Sequence, residues 1–288
     1  MGWIAAAKAI MFTVLSFSLF FMGLIIGSFL NVVILRFEES RGFFHWPALT
    51  GRSRCPHCRK ILRWHELIPL VSFLSQKGRC RRCRKRLTVQ YPLVEFLSGL
   101  IFLLPIYFYS LSPDYLLFSA ILIMAALTLL TLSVVDLQRF VIPDQLNFFL
   151  GFLGAAAVFA PRPESFLGPA ARLAGFFDAP LPNRLLGAAA GFALLGLIYF
   201  LSRGRAMGFG DVKLAAAIGL LLGWPDVFLA LALSFVIGAL FGIFWILTGR
   251  KKFKSAVPFG PFLAAGTMIV ILFGRQLVGI YFNLFNFI

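Results

Sequence analysis

Residues 115–136 read YLLFSAILIMAALTLLTLSVVD, 21 uncharged residues ending on an aspartate. A spanning α-helix needs about 20 predominantly apolar residues, so this stretch reads as a membrane helix whose end carries a carboxylate, Asp136. Seven further segments have the same character, near 12–35, 92–110, 145–161, 184–201, 211–224, 227–247 and 259–282. The segment at 211–224 is the shortest. Together they predict an all-α polytopic membrane protein of about eight transmembrane helices.

Composition points the same way. Of 288 residues, 60% are hydrophobic and 13% charged, and the mean hydropathy is +0.91, whereas a soluble domain carries about 25% charged residues. The first apolar run is too long for a signal-peptide core and no small-residue cleavage pattern follows it, so it is expected to persist as a helix. The net charge of +16 invites a nucleic-acid reading, which the distribution of charge disfavours. With 36–91 placed in the cytoplasm and the helices threaded alternately, 22 of the 27 Lys and Arg fall inside. Lys8, Arg162, Arg172, Arg184 and Arg275 fall outside. That is the positive-inside asymmetry, and the run Arg250-Lys251-Lys252-x-Lys254 reads as a topology anchor on anionic membrane lipid. No nucleic-acid partner is expected. Residues 161–183 read as an outer, partly amphipathic loop, and no internal repeat or low-complexity tract is evident.

Gly208-Phe209-Gly210-Asp211 opens the segment at 211–224. Alternate threading puts Asp211 and Asp136, 75 residues apart, at the same cytoplasmic rim. An ionised side chain in hydrocarbon costs about 2.5–3.5 kcal/mol even on lenient scales, so such residues persist where they pair or line a water-filled site. Two adjacent carboxylates share one proton: one takes a proton from an attacking water while the other hydrogen-bonds the scissile carbonyl, which is peptide hydrolysis without a metal or covalent intermediate. The ordinary alternatives are an N-cap for Asp211 and a rim charge paired with Arg139 for Asp136. Gly208 and Gly210 would free the backbone to adopt unusual angles beside a substrate strand.

Three neighbouring features carry two readings each. Asp144 either caps the following helix or supports Asp136, and Lys213 either keeps Asp211 ionised or marks the inner face. Pro258-Phe259-Gly260-Pro261 is expected to be irregular, because Pro261 lacks a donor and restricts Gly260. It either seats the substrate or serves as a plain helix entrance.

The four cysteines all lie in 36–91, as Cys55-Pro56-His57-Cys58 and Cys80-Arg81-Arg82-Cys83, with 21 residues between the pairs. That spacing is one residue beyond the usual zinc range. Four thiolates in tetrahedral array suit Zn2+, and surrounding arginines offset their charge. Disulfides are the rival, disfavoured in a reducing compartment. His57 and His65 are read as bystanders.

In order along the chain, these motifs are joined by Gly27-Ser28-Phe29-Leu30-Asn31-Val32-Val33, Arg63-Trp64-x-Glu66-x-Ile68-Pro69-Leu70, Tyr91-Pro92-Leu93-Val94-Glu95, Val141-Ile142-Pro143-Asp144, Val212-Lys213-Leu214 and Phe262 after Pro261. The set resembles the bacterial type IV prepilin peptidases, a GxGD family of membrane aspartyl proteases also called leader peptidase and N-methyltransferase. The resemblance implies an inner-membrane endopeptidase that removes the basic leader from type IV prepilins and type II secretion pseudopilins at the cytoplasmic face, with Asp136 and Asp211 as catalytic acids. It also implies N-methylation of the new N-terminus from S-adenosylmethionine, associated with the cysteine-bearing domain. Glu66 and Glu95 fall in matching motifs and would orient the amine or the methyl donor, or else salt-bridge nearby arginines. The expected division is a first helix (1–35), a cytoplasmic zinc domain (36–91) and a seven-helix peptidase domain (92–288). The loop holds no G-x-G-x-x-G after a strand, so the residues alone identify no methyl-donor site. Two other classes remain open, an ion-coupled transporter with midplane carboxylates and a non-catalytic zinc-bearing assembly scaffold.

Overall fold

A computed structural model describes residues 2–38, 51–109, 115–160, 165–167, 179–249 and 256–284. The basic run at 250–254 and most of the 161–183 loop, with Arg162 and Arg172, lie outside the described residues. Among the described residues the protein is helical without strands. The helices are α1 (Gly2–Arg36), α2 (Val71–Ser75), α3 (Gln90–Ile101), α4 (Leu104–Tyr109), α5 (Leu116–Arg139), α6 (Asp144–Ala156), α7 (Pro180–Leu201), α8 (Phe209–Leu222), α9 (Asp226–Leu247) and α10 (Gly260–Leu284), with a 3-10 turn at Trp64–Glu66.

Among the described residues five helical stretches are long and apolar enough to cross a membrane: Ile10–Arg36, Leu116–Arg139, Pro180–Leu201, Asp226–Leu247 and Gly260–Leu284. The remaining three expected spans are shorter than their apolar runs. The run at 92–110 breaks after Ile101, leaving α3 with 12 residues and α4 with six. The run at 145–161 helical-codes only 13 residues, in α6. The third yields the 14 residues of α8, closed by Gly223 at φ +87°, a left-handed conformation that suits glycine. Hydropathy reports apolar surroundings and not helix length.

The chain divides into two compact units, Met1–Ser119 and Ala120–Ile288. In the first, α1 packs on α3 through Gly23 and Gly27, where an added Cβ would lie 2.5 Å from Ser98 O and 2.8 Å from Glu95 Cα. This small-x-x-x-small spacing lets two helix backbones approach closely where no hydrophobic force drives them together. Cross-helix polar contact follows, as Asn31 Nδ2 donates to Tyr91 O at 3.1 Å.

The second unit repeats the device. α7 packs closely on α8, with Gly187 and Gly191 of α7 facing Gly219 and Ala215 of α8 backbone to backbone. α6 packs on the same α8, and α9 on α10. Arg184, counted among the basic residues of the outer side, is 1% exposed. Its guanidinium donates to Leu220 O and Leu221 O at the end of α8 and to Ala157 O at the end of α6. It therefore satisfies terminal carbonyls that hydrocarbon would leave bare.

A leucine at position 187 has no room. Gly187→Leu is expected to lower stability by at least about 1–3 kcal/mol, the usual cost of overpacking, read as a lower melting temperature in detergent. An alanine-to-leucine change at the exposed Leu197 level of the same helix, at Ala193, supplies the comparison.

Candidate active site

α5 ends where Phe140 turns to φ +56° and its N–H closes on Asp136 O at 2.8 Å. The last helical turn thus holds Asp136, which is 4% exposed. Its Oδ2 accepts the Gly260 N–H at 2.9 Å, across 124 residues. Gly260 opens α10, so the carboxylate sits on a helix N-terminus, where orphan amides and the helix dipole favour negative charge. An added Cβ at Gly260 would lie 2.7 Å from that oxygen.

Asp211 is not the N-cap of α8. Gly208 holds that position at φ −78°, ψ 153°, and Asp211, in the first turn, accepts the Gly208 N–H on Oδ2 at 3.1 Å. Asp211 is 7% exposed, and its Oδ1 is buried without a partner among the described residues. Asp136 lies near enough for the two charges to interact. Two acids 75 residues apart in sequence are thus each buried and each tied to one backbone amide at a helix N-terminus.

The surrounding residues take roles different from those expected. Gly208 has an ordinary extended conformation, and Gly210 serves closeness rather than flexibility, since a Cβ there would come within 3.0 Å of Ile142 Cβ. Lys213 does not pair with Asp211; its Nζ bonds both oxygens of Asp144, at 2.7 and 2.8 Å, and stands 5.4 Å above the Phe209 ring. Asp144 is the first residue of α6, after Pro143 at the N-cap, so its carboxylate ties α6 to α8 instead of capping its own helix. Asp136 is bonded to Gly260 rather than acting as a simple rim charge. Pro261 lies inside the first turn of α10, where a missing N–H costs nothing, so the irregular segment stops at Phe259 and Pro258 lies within it.

Asn147, one turn into α6, was not singled out in the sequence. It is 6% exposed, its Nδ2 reaches Gly210 O at 3.5 Å, and its Oδ1 is buried without a partner among the described residues. An amide three residues after Asp144, on the same helix face, was the available signal.

The second constellation lies in the first unit. The Sγ atoms of Cys55, Cys58, Cys80 and Cys83 all fall within 4.8 Å of one another, with Cys55 to Cys83 at 4.0 Å, and all four are free thiols. Zn–S bonds of about 2.3 Å put tetrahedral sulfurs about 3.8 Å apart, so the cluster has the size of a metal centre and not of two disulfides. Each pair sits in the same knuckle. Arg54–Ile61 and Arg79–Arg86 are closed by single bridges, by Cys55 N–H to Lys60 O and Cys80 N–H to Lys85 O, both 3.0 Å, and by Arg59 and Arg84 at φ +55°. The two octapeptides, RCPHCRKI and RCRRCRKR, agree at five positions, an internal repeat too short to register along the chain. Amides of Cys83 and Arg82 push the Cys80 thiol down to about 7, while burial pushes Cys55 up to about 11. His57 turns its Nε2 to Arg86 O at 3.3 Å, away from the role of ligand.

Glu66 and Glu95 contact backbone rather than arginine side chains. Glu66 Oε2 accepts the Arg63 N–H and Glu95 Oε2 the Leu70 N–H, both at 2.8 Å.

Two buried acids at helix ends among close-packed apolar helices, together with a four-cysteine cluster, define a multi-pass membrane protein equipped for acid–base chemistry. The chain belongs to the type IV leader peptidase family. That family's model matches residues 123–243, and the bacterial peptidase A24 N-terminal domain matches residues 21–109. The chain is 35% identical over 267 residues to a prepilin leader peptidase/N-methyltransferase of Bacillus subtilis (strain 168), covering 92% of this chain and 97% of the relative. It is 35% identical over 294 residues to one from Aeromonas salmonicida (strain A449), covering 93% and 94%, and 32% identical over 282 residues to one from Stutzerimonas stutzeri, covering 90% and 91%. No solved structure matches the chain significantly.

The Asp144–Lys213 pair is partly exposed, at 71% and 39%. A double-mutant cycle with Asp144→Ala and Lys213→Ala is expected to give a coupling of about 0.2–1 kcal/mol in thermal stability, the range of such pairs.

Proposed function

We propose that this protein is a prepilin leader peptidase and N-methyltransferase: it hydrolyses the peptide bond after the basic leader of type IV prepilins and pilin-like type II secretion precursors, then methylates the exposed amine. The observation that carries the reading is that Asp136 and Asp211 are both buried, lie near enough for their charges to interact and are each bound by a helix-terminal amide, in a member of this family. We assign them the two catalytic roles. Like charges at close range cannot both ionise, so the pair holds one proton. One carboxylate removes a proton from water as its oxygen attacks the scissile carbonyl carbon; the other donates its proton to the carbonyl oxygen. Collapse of the tetrahedral adduct breaks the C–N bond, and the amine leaves with a proton from the dyad. Gly208 and Gly260 hold one oxygen of each acid through backbone amides. Lys213 and Asp144 position the turn that carries Asp211, Gly210 admits Ile142 beside it, and Pro258, Gly260 and Pro261 shape the start of α10 next to Asp136.

The four cysteines would hold one Zn2+, which supplies structural order to a segment too short for a large core. S-adenosylmethionine supplies the methyl group. We place the cysteine segment and the acid pair on the cytoplasmic side of the inner membrane, in accord with the positive-inside charge distribution, with membrane lipid as the surrounding partner and no nucleic acid. Family membership favours this reading over the transporter and the scaffold. In this reading 36–91 forms the cytoplasmic zinc domain and 92–288 the peptidase.

Asp136→Asn and Asp211→Asn are each expected to reduce cleavage of a co-reconstituted prepilin at least 10³-fold (roughly the scale of losing a catalytic group), with the protein folded and inserted; full activity in either would refute the dyad. Gly260→Ala, which crowds Asp136 without removing it, is expected to give an intermediate loss in kcat. Metal analysis of the purified protein is expected to find one zinc per chain, lost in Cys55→Ser along with protease resistance of residues 51–91.

A further inference from the structure

We propose that residues 64–75, which carry the 3-10 turn and α2, lie in the membrane interface as a surface-seated element whose outer side takes the acyl chains of the surrounding lipid. Trp64, Leu67, Ile68, Val71 and Leu74 are all exposed large apolar side chains, Trp64 at 77% and Leu74 at 72%. They stand in a strongly basic stretch, since residues 51–91 hold 12 Lys and Arg against one acid, Glu66. The side chains of α2 are distributed in the reverse of a helix on a watery surface. At 3.6 residues per turn, Ser72, Phe73 and Gln76 share one side and Val71 and Leu74 the other. The side with the polar residues faces inward: Ser72, Phe73 and Gln76 line an internal cavity, and an added Cβ at Gly78 would lie 3.1 Å from the Phe73 ring. A helix with its apolar side outward is matched to lipid and mismatched to water.

The depth of the segment follows from its tether. Any stretch of about 20 residues, the length that spans hydrocarbon, taken from Ile10–Arg36 includes Gly27. An added Cβ at Gly27 would lie 2.8 Å from Glu95 Cα, so Glu95 of α3 is level with a residue of α1 inside the apolar layer. Its Oε2 accepts the Leu70 N–H at 2.8 Å. The turn before α2 is therefore held within one side chain's reach of that level. The cavity wall has the same register, with Leu67, Ser72 and Phe73 gathered beside Asn31, Val32 and Leu35 of α1. An element tied along the last turns of a spanning helix has its outer side against the leaflet.

The backbone meets the demand that lipid makes on polar groups. The amides of Glu66, Leu67, Val71, Ser72 and Leu74 go to carbonyls between positions 63 and 70. Pro69 has no amide to place, and Leu70, at φ +57°, gives its own to Glu95. Arg63 and Lys77 bracket the segment, where long basic side chains reach anionic headgroups while the apolar residues between them sit lower. Trp64 is of the residue type favoured at that boundary. The same basic flanks choose between occupants: they attract an anionic leaflet and repel a partner that carries a basic leader.

The test uses the full-length protein in nanodiscs of phosphatidylglycerol and phosphatidylcholine that contain a trace of phospholipid with a photoreactive diazirine in its acyl chain. After irradiation, labelled peptides are mapped by mass spectrometry. Peptides covering 64–75 are expected to carry at least about tenfold more label than those covering the knuckle at 79–86, the scale of one leucine's preference for apolar surroundings. Val71→Glu and Leu74→Glu, at exposed positions, are each expected to lower that label several-fold while labelling of α1 stays as in the parent protein. Absence of label from 64–75 in the parent protein while α1 and α3 are labelled would overturn the proposal. So would photo-cross-links from positions 64 or 74 that reach a second copy of the chain or an added prepilin in place of lipid. The labelling is read without substrate or methyl donor, so its outcome is separate from that of the reaction proposed above.

Discussion

Arg184 embodies the constraint on which the second unit depends. An apolar environment offers no water to a helix end, and each unsatisfied backbone group there costs several kcal/mol. α6 and α8 both terminate inside the bundle, and one buried guanidinium receives the carbonyls of both. At their opposite ends the Asp144–Lys213 pair joins the same two helices. The helices therefore run parallel and are fixed at both ends. Asn183 and Asp226 extend the principle, with Asn183 Nδ2 on Trp224 O at 2.6 Å and Asp226 accepting the Ser165 hydroxyl and the Phe166 N–H. Once one end of the unit is secured in this way, the other is free to present carboxylates, because Asp136 and Asp211 satisfy helix N-termini as they are held by them.

The first unit solves a different problem, that of ordering a basic segment with little apolar matter of its own. Two copies of one knuckle bring the sulfurs together, and each copy needs a residue at φ +55° that is arginine rather than glycine. A non-glycine residue in that region costs about 1 kcal/mol or more, so cross-strand bonds and the sulfur cluster must hold it. The helix pair below is set by Gly23 and Gly27, which bring Glu95 and Asn31 close enough to share one cavity. That cavity draws on residues from α1, the 51–91 segment and α3, so it cuts across the divisions at 35/36 and 91/92 suggested by hydropathy.

Long apolar runs without internal stops were legible from sequence, because a continuous apolar run of about 20 residues is itself the signal. What was illegible depended on which helices are neighbours. Nothing near Lys213 in sequence indicates Asp144, 69 residues away, in preference to Asp211, two residues away; helical geometry decides, because i and i+2 side chains point to different faces. The burial of Arg184 was illegible for a related reason. Charge at the edge of an apolar run ordinarily marks the water boundary, and the close approach at Gly187 and Gly219 is what brings the backbones near enough for a guanidinium to bridge. Pro261 was misread locally, since a proline that blocks a helix interior is tolerated in its first turn.

The shortness of α6 and α8 carries a consequence for the lipid around them. At 1.5 Å per residue, 13 and 14 residues span about 20 and 21 Å, against about 30 Å of hydrocarbon. α6 turns Phe148 and Phe152 outward, at 80% and 60% exposure, so it meets the acyl chains directly. Hydrophobic mismatch of this size is relieved by compressing the bilayer beside it. The membrane next to the Asp144 end is therefore expected to be thin, with headgroups and water drawn toward the first turn of α6.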